Sequence, residues 1–343
     1  MVTKTPKIKD PLLDEKYPQG DLFICDVADA VLKDIMPQME HPFYSLSKKP
    51  DTTIRRYEHK GNWLEITPSV KGLATIYDKD LLIYAISQVM AKINNGEEAK
   101  KRVRINTHEL LQFTNRGTAG KDYKAIADAV TRLGGVQIST NIRTGDEEQF
   151  DVFGLIESAS VRRKFGLNGR LLWCDITLSD WVFNAIKANE VLTLHRDYFR
   201  LRKPLERRIY EVARKHCGQQ NLWKISVELL LKKSGSQSPL KQFRYLLKEL
   251  VSNDHLPDYR VELDIESNNV TFINRGSMPN DKPKQWSGNI SPDAMEKVSR
   301  LGLVEDKYFI EQEFRNWIAI SDIQPKHPDA MFIDFAKKRE KRK

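Results

Sequence analysis

Apolar residues change their spacing from helical to strand-like at the same relative point in two separate stretches of the chain. In the first stretch they recur three or four residues apart over residues 121–133 and then alternate with polar residues over residues 136–156. In the second stretch the same change separates residues 240–250 from residues 259–274. A period of 3.6 residues is typical of a helix with one buried face, and a period of two is typical of a half-buried strand. The chain is therefore predicted to hold two modules in which a helix is followed by a β-hairpin.

A shorter helix and a polar turn precede each of these helices. In the first module the shorter helix covers residues 107–113 and ends in a turn at residues 115–118. In the second module it ends at residues 232–235, after which Ser238 caps the next helix with Pro239 at its first position. Helix, turn, helix and hairpin in this order form a winged helix. The predicted fold class is α+β, with two winged-helix (helix-turn-helix plus β-hairpin) domains in tandem and a small helical C-terminal extension.

A long helix is predicted to lead each module, over residues 78–94 in the first and over residues 204–216 in the second. The apolar residues of the second long helix form one inner stripe. Its arginines Arg207, Arg208 and Arg214 lie off that stripe and are expected to point away from the core.

Composition divides the chain into segments. The opening residues are charged and contain proline, without the apolar run of a signal peptide, and residues 280–288 are polar and rich in turn formers. Strands are predicted over residues 63–67 and 73–77. The predicted bounds are 1–20 for a disordered arm, 21–190 for a first winged-helix domain (dimerisation and DNA binding), 191–277 for a second one (DNA binding), 278–289 for a linker and 290–343 for a helical region with a basic tail.

The charge balance favours a polyanionic partner. The chain has 56 Lys and Arg against 47 Asp and Glu, which gives a net charge of +9. Its three cysteines are widely spaced and form no Cys-x-x-Cys pair, which argues against a disulfide framework and a zinc site. No apolar run approaches the ~20 residues needed to span a bilayer. The sequence therefore predicts a cytoplasmic protein with reduced thiols and no membrane partner.

In a helix-turn-helix unit the second helix enters the major groove, where donors read base edges and cations meet phosphates. Residues that point outward from that helix, or lie in the turn before it or at the hairpin tip, are therefore candidates for DNA contact. Gln242 can read adenine and Arg244 can read guanine. A solvated helix face is also charged, so both interpretations stay open for any single residue. The candidates are Arg116, Thr118, Lys121, Lys124, Arg132 and Arg143 in the first module, and Lys233, Ser236, Ser238, Lys241, Gln242, Arg244, Tyr245 and Lys248 in the second.

Motifs of DNA-processing enzymes are missing from the sequence. The seven histidines are scattered, and none forms the His-x-His pair of a relaxase. Residues 117–121 (GTAGK) lack the spacing of a phosphate-binding loop and have no Ser or Thr after the lysine. The chain is therefore predicted to have no catalytic site, no metal and no cofactor.

Six stretches of the sequence resemble the plasmid replication initiator proteins of the replication-initiator-A family. Together they lie within residues 21–275, about three-quarters of the chain. They are MEHPFYSLSKKPDTTIRRYEH (39–59), ITPSVKGLATIYDKDLLIYAISQ (66–88), TNRGTAGKDY (114–123), TNIRTG (140–145), DYFRLRKPLERRIYEVARKHCG (197–218) and LPDYRVELD (256–264).

This resemblance implies an initiator that binds repeats (iterons) in double-stranded DNA at a plasmid origin, helps to open the origin and recruits host replication proteins. A replicative helicase or a host initiator is the expected partner. Related tandem winged-helix initiators also act as dimers that repress their own promoter, and in them the first long helix belongs to the dimerisation region. A transcription repressor without a replication role and a DNA-processing enzyme are the alternatives. The apolar residues of the first long helix that suit a dimer interface are Leu81, Ile83, Tyr84 and Met90.

Overall fold

The computed structural model describes two compact units of the chain. One unit is formed by Met1–Ala91 and Lys100–Pro279, and the other by Lys92–Ala99 and Asn280–Lys343. The residues that the structure describes are 10–17, 33–47, 49–59, 62–94, 96–141, 151–163, 171–276, 288–301, 307–321, 325 and 327–340.

Helices and strands alternate through the first unit, and the second unit is helical where it is described. The helices are α1 (Met36–Glu40), α2 (Lys79–Asn94), α3 (Thr107–Phe113), α4 (Gly120–Gly135), α5 (Asp180–Lys187), α6 (Pro204–His216), α7 (Val227–Ser234), α8 (Leu240–Asn253), α9 (Pro292–Ser299), α10 (Lys307–Ser321) and α11 (Pro328–Glu340), with a 3-10 helix at Arg196–Arg200. The strands are β1 (Lys33–Ile35), β2 (Arg55–His59), β3 (Asn62–Thr67), β4 (Arg102–Asn106), β5 (Gln137–Thr140), β6 (Asp151–Phe153), β7 (Ile156–Arg163), β8 (Leu171–Leu178), β9 (Val191–Thr193), β10 (Leu222–Ser226), β11 (Tyr259–Asp264) and β12 (Asn269–Asn274).

The predicted hairpin of the first module is present but belongs to a larger sheet. Strands β5 and β6 pair antiparallel, and β5 also pairs with β3, so the strand order is β2-β3-β5-β6. Strands β7 and β8 form a separate antiparallel sheet with β4. The strand predicted over residues 73–77 is not formed, because this segment makes only an isolated bridge from Thr75 to Ser45 and then turns into α2.

The second module has the predicted order of parts. Strands β11 and β12 form the hairpin, and β10 pairs with β12 on its other side. Helix α8 begins at Leu240, with Pro239 as its N-cap, so the prediction that Ser238 caps this helix is wrong. The Ser238 amide instead donates to Ser236 Oγ at 3.3 Å, within the turn.

One hydrophobic core runs from the first module into the second. Met39 of α1 and Ile83 of α2 are fully buried in the same cluster as Tyr210 of α6, Phe243 of α8 and Phe272 of β12. Removing these side chains from water is the main favourable term for both modules, at about 25 cal/mol per Å² of apolar surface. The two modules therefore share a core.

The second unit packs three helices around a core of its own. Phe314 and Phe332 are completely buried there, with Val298 of α9 nearly so. The sequence patterns predicted α10 and α11 but missed α9. Its signal was local, since Ser291 caps the helix by accepting from the Ala294 amide at 3.2 Å.

Helix α6 is buried on almost all sides. Arg207, Arg208 and Arg214 keep only 3%, 2% and 1% of their surface exposed, so the prediction that they point away from the core is wrong. The pattern found the apolar stripe, but α1 and α7 also pack against this helix and cover its charged side. A buried guanidinium is tolerated only with hydrogen-bonding partners.

Arg208 supplies such contacts to two other helices. Its guanidinium donates to the carbonyl oxygens of residues 38–40 at 2.8–3.1 Å. It donates to Lys233 O, near the end of α7, at 2.9 Å. The Glu211 carboxylate lies 3.0 Å from the same group. Arg208 thus joins α6 to α1 and to α7.

The first turn of α2 and the residue before it contribute three consecutive buried charges. Asp78, Lys79 and Asp80 are 4%, 0% and 1% exposed. Lys79 Nζ lies 2.6 Å from the Asp34 carboxylate and 3.0 Å from that of Glu211 on α6. Burial raises the pKa of Asp34 to about 6 in spite of the neighbouring lysine.

The two aspartates bind arginines from other elements. Asp80 Oδ1 lies 2.7 Å from Arg207 Nη1, and its Oδ2 lies 2.7 Å from Arg116 Nη2. Asp78 accepts two hydrogen bonds, of 2.6 and 2.7 Å, from Arg132 of α4. We call the α2 ion-pair network the set of Asp78, Lys79, Asp80, Arg116, Arg132, Arg207, Arg208 and Glu211.

His216, at the end of α6, is expected to make stability fall in mild acid. Burial, with Lys233 nearby, lowers the pKa of His216 to about 4. In the unfolded chain the pKa of this imidazole lies near the ordinary ~6.5. At a pH between the two pKa values, only the unfolded state therefore takes up the proton. The stabilisation from the neutral imidazole is therefore lost as pH falls from about 6.5 towards 4.

His216→Phe should remove this loss, because phenylalanine can keep the stack on Trp223, whose ring centroid lies 4.9 Å away. Between pH 7.5 and 4.5 we expect the variant to lose roughly 1–2 kcal/mol less stability than the parent, after allowing for solvent screening. Urea unfolding at several pH values measures the difference. Above pH 7.5 the free energies of unfolding of the two proteins should change with pH in parallel. If they stay parallel down to pH 4.5, His216 is not the cause of the acid sensitivity.

Candidate nucleic-acid interface

Helix α8 presents a polar stripe opposite its buried face. Phe243, Leu247 and Leu250 point into the core. Lys241, Tyr245 and Lys248 lie at positions i, i+4 and i+7 and are exposed, with Tyr245 62% exposed. Gln242 is exposed beside them. This face therefore offers two ammonium groups, a phenol and an amide to an outside partner.

The turn before α8 is shaped by a residue that must be glycine. Gly235 has φ +69°, and a Cβ on it would lie 2.5 Å from Pro42 Cβ. Ser236 and Ser238 follow in partly buried positions. The Lys233 side chain is only 16% exposed and lies 3.7 Å from Glu40, so it is less available to an outside partner than the sequence suggested.

Arg244 has partners within the protein. Its Nε donates to Asn268 Oδ1 at 3.1 Å, and its Nη2 lies 3.3 Å from Glu228 Oε1. Asn268 belongs to the turn between β11 and β12, and Glu228 to α7. The side chain is still 43% exposed. A guanine contact by Arg244 would require it to exchange these partners.

Helix α4 keeps part of its expected outer face. Lys121 and Lys124 are exposed, and Thr118 in the preceding turn is exposed as well. Asp122 accepts from the Ala119 amide at 3.0 Å, which stabilises the start of the helix. One acid of this face is therefore engaged in capping.

The other acid of the α4 face is paired. Asp128 lies 2.6 Å from Lys71 Nζ, and this hydrogen bond holds the pKa of Asp128 below its usual value. Since both acids of this face are engaged within the protein, the exposed α4 face is mainly cationic, which suits contact with a phosphate backbone.

Two arginines predicted to contact DNA are part of the α2 ion-pair network. Arg132 donates two hydrogen bonds to Asp78, and this contact also raises the pKa of Arg132. Arg116 binds Asp80 and also donates to Tyr77 O. Each side chain is 20% exposed. Both turn inward because acids on another element compensate them, a pairing that the local pattern does not reveal. Arg143 lies outside the described residues.

The four apolar residues predicted to form a dimer interface lie in the core of the protomer. Leu81, Ile83, Tyr84 and Met90 are 1%, 0%, 1% and 3% exposed. Tyr84 packs edge-on against Phe113 of α3 with ring centroids 4.9 Å apart. The apolar surplus of α2 is thus accounted for by neighbours on several sides within one chain. In this conformation the four side chains are not available to a second copy.

Within the described parts of the chain, no cluster of His, Cys, Asp and Glu could hold a metal ion. No helix of these parts is both long enough and apolar enough to cross a bilayer.

The sequence model of the family "Replication initiator protein A" matches residues 33–261. The chain belongs to this family. The match covers the first module and the second as far as the start of β11. Family membership identifies the protein as a replication initiator and confirms the resemblance found in the sequence. Strand β12 and helices α9 to α11 lie beyond the match.

One relative agrees with the initiator family, and one solved structure shares the fold. A putative replication protein of Wigglesworthia glossinidia brevipalpis is 38% identical over 260 residues, which cover 74% of this chain and 94% of the relative. A crystal structure of domains 2 and 3 of RctB is similar with a TM-score of 0.53 at 12% identity, covering 69% of this chain and 97% of that one. At this identity the second comparison shows a shared mixed α+β fold.

The structure of this initiator also shows a cationic surface that the sequence analysis missed. Arg102 and Arg104 of β4 are 67% and 68% exposed and both pair with Asp175 of the neighbouring strand β8. Arg104 also lies over the Trp173 ring, 5.6 Å from its centroid. The signal was the alternation of arginine with apolar residues in residues 102–106, which places both cations on one face.

Proposed function

We propose that the protein initiates plasmid replication by binding repeated sites in double-stranded origin DNA through α4 and α8. The observation that carries this proposal is the exposed stripe of Lys241, Tyr245 and Lys248 on α8, beside Gln242 and after a glycine turn. A second helix with such a face fits the major groove, and the hairpin that follows it can act as a wing. Membership of an initiator family supports the same role.

Within this proposal each exposed side chain has a defined task. Gln242 can form two hydrogen bonds with adenine, and Tyr245 can contact a base edge or a thymine methyl group. Lys241 and Lys248 would bind phosphates and fix the register of α8. Lys121 and Lys124 would do the same for α4. In the two turns the short hydroxyl side chains of Thr118, Ser236 and Ser238 would also form hydrogen bonds with the DNA.

The proposal extends to the organisation of the protein and to its partners. We infer two winged-helix domains, at residues 21–190 and 191–277, followed by the helical C-terminal region. Bound to origin repeats in the cytoplasm, the protein would help to open the duplex and recruit a host helicase or initiator. A second copy would allow it to repress its own promoter, through a surface other than the buried face of α2.

A binding assay followed by a replication assay tests the function. The purified protein is expected to shift a duplex carrying repeats from beside its own gene in the presence of competitor DNA, with protection of roughly two helical turns per monomer. A plasmid carrying only this gene and those repeats should then replicate. Specific binding without replication would favour a repressor. Nicking of the repeats in Mg²⁺ would favour a DNA-processing enzyme, and binding no tighter than to competitor would contradict the proposal.

A further inference from the structure

The α2 ion-pair network connects α4 with the segment before α8, the other helix proposed to contact DNA, through short ion pairs and one hydrogen bond. On α4, Arg132 binds Asp78 at 2.6 and 2.7 Å. The next residue, Lys79, lies 3.0 Å from Glu211 of α6. Glu211 in turn lies 3.0 Å from Arg208. The first module is thereby tied to the central helix α6.

The same network reaches the helix-turn-helix of the second module. Arg208 donates to Lys233 O at 2.9 Å, just before the turn that leads into α8. A parallel route runs from Arg207 through Asp80 to Arg116, in the turn before α4, with 2.7 Å at each step. Both turns that precede the proposed DNA-contacting helices are therefore joined to α6 by charged side chains.

Burial makes this connection resistant to distortion. Lys79, Asp80 and Glu211 are at most 1% exposed, and Arg207 and Arg208 at most 3%. A shift of α4 against α6 would leave some of these charges buried without a partner, which a protein interior penalises heavily. The network therefore acts as a spacer of defined length between the two modules.

We propose that the α2 ion-pair network fixes the distance between α4 and α8 and thereby selects the number of base pairs between the two sub-sites of a DNA repeat. This inference rests on the proposed function, since it requires both helices to enter grooves of one duplex. Successive major grooves on one face are about 34–36 Å apart, and each added base pair displaces the second sub-site by about 3.4 Å and rotates it by roughly 35°. A rigid pair of modules accepts few such changes.

The test compares duplexes in which one or two base pairs are inserted or removed between the sub-sites. For the parent protein we expect each one-base-pair change to weaken binding at least 10-fold. Asp78→Asn keeps the size of the side chain but removes its charge, and Arg132 is exposed enough to stay hydrated. For this variant we expect binding at the native spacing to weaken about 3–10-fold and the penalty for a one-base-pair change to fall below 3-fold.

The matched control is Asp128→Asn. It makes the same chemical change at a residue of α4 and breaks the 2.6 Å ion pair of that residue with Lys71, but it lies outside the network. Its spacing profile should match that of the parent. Arg132→Lys is a second network variant, which keeps the charge and loses one of the two hydrogen bonds to Asp78. It replaces Asp78→Asn in the test if circular dichroism shows that Asp78→Asn is unfolded.

The outcomes separate the spacing inference from the proposed function. A folded network variant with the spacing profile of the parent would overturn the inference, and so would a parent protein that binds all spacings equally. A parent protein that forms no specific complex with any duplex would instead overturn the proposed function, together with the inference that rests on it.

Discussion

Asp80→Ala is expected to lower the free energy of unfolding by about 3–5 kcal/mol, the usual cost of removing one partner from a buried ion pair. The change leaves the guanidinium of Arg207, a residue 3% exposed, without its carboxylate and also releases Arg116. In thermal unfolding followed by circular dichroism this corresponds to a midpoint lower by about 10 °C.

Two further variants show whether this loss comes from an unpaired buried charge. Asp128→Ala breaks an ion pair whose side chains are 47% and 31% exposed, and such pairs contribute about 1 kcal/mol or less. The double variant Asp80→Ala/Arg207→Met should recover at least half of the loss, because replacing both charges by apolar groups is often close to neutral. A midpoint for Asp80→Ala within 2 °C of the parent would show that the pair is not important for stability.

The double variant Lys241→Ala/Lys248→Ala is expected to weaken binding to origin repeats by about 30–100-fold near physiological salt, with little change in base preference. Both ammonium groups lie on the exposed stripe of α8, where the proposal assigns them to phosphates. Each lost phosphate contact should lower the slope of log K against log salt by about 0.9, so the slope should fall by about two. Titrations at four or five salt concentrations measure both quantities.

A control variant separates this effect from the general loss of positive charge. Lys297→Ala/Arg300→Ala removes one cation from α9 and one from the residue that follows it. Both residues are exposed, and they pair with Asp293 and Glu296 of that helix. This variant should leave the affinity within about threefold and the slope within experimental error. Equal losses in both double variants would mean that net charge, and not the α8 stripe, governs binding.

Elements with local signals were predictable from the sequence to within a residue or two. Helix α3 begins after Asn106, whose side chain accepts from the His108 and Glu109 amides, and α6 begins with a proline in its first turn. The hairpin β11–β12 follows from the alternation of its apolar residues. These features depend on contacts within a few positions along the chain.

Features that depend on distant partners were not predictable. Arg132 forms an ion pair with an aspartate 54 positions earlier in the chain, and Arg207 forms one with an aspartate 127 positions earlier. A helical pattern shows which residues share a face, but it does not show whether a second element covers that face. For the same reason the apolar surplus of α2, including Met90, suited the dimer interface that the resemblance implies, although the chain itself covers these residues.

The position of Arg208 bears on how such initiators can evolve. Its guanidinium needs carbonyl groups contributed by residues 38–40 and by Lys233, so the ends of α1 and α7 are completed by one side chain from α6. A chimera that joined the front half of one initiator to the rear half of a distant relative would have to match all these groups at once. We therefore expect exchange between relatives to proceed by inheritance of both halves together, while residues proposed to read bases, such as Gln242, change individually.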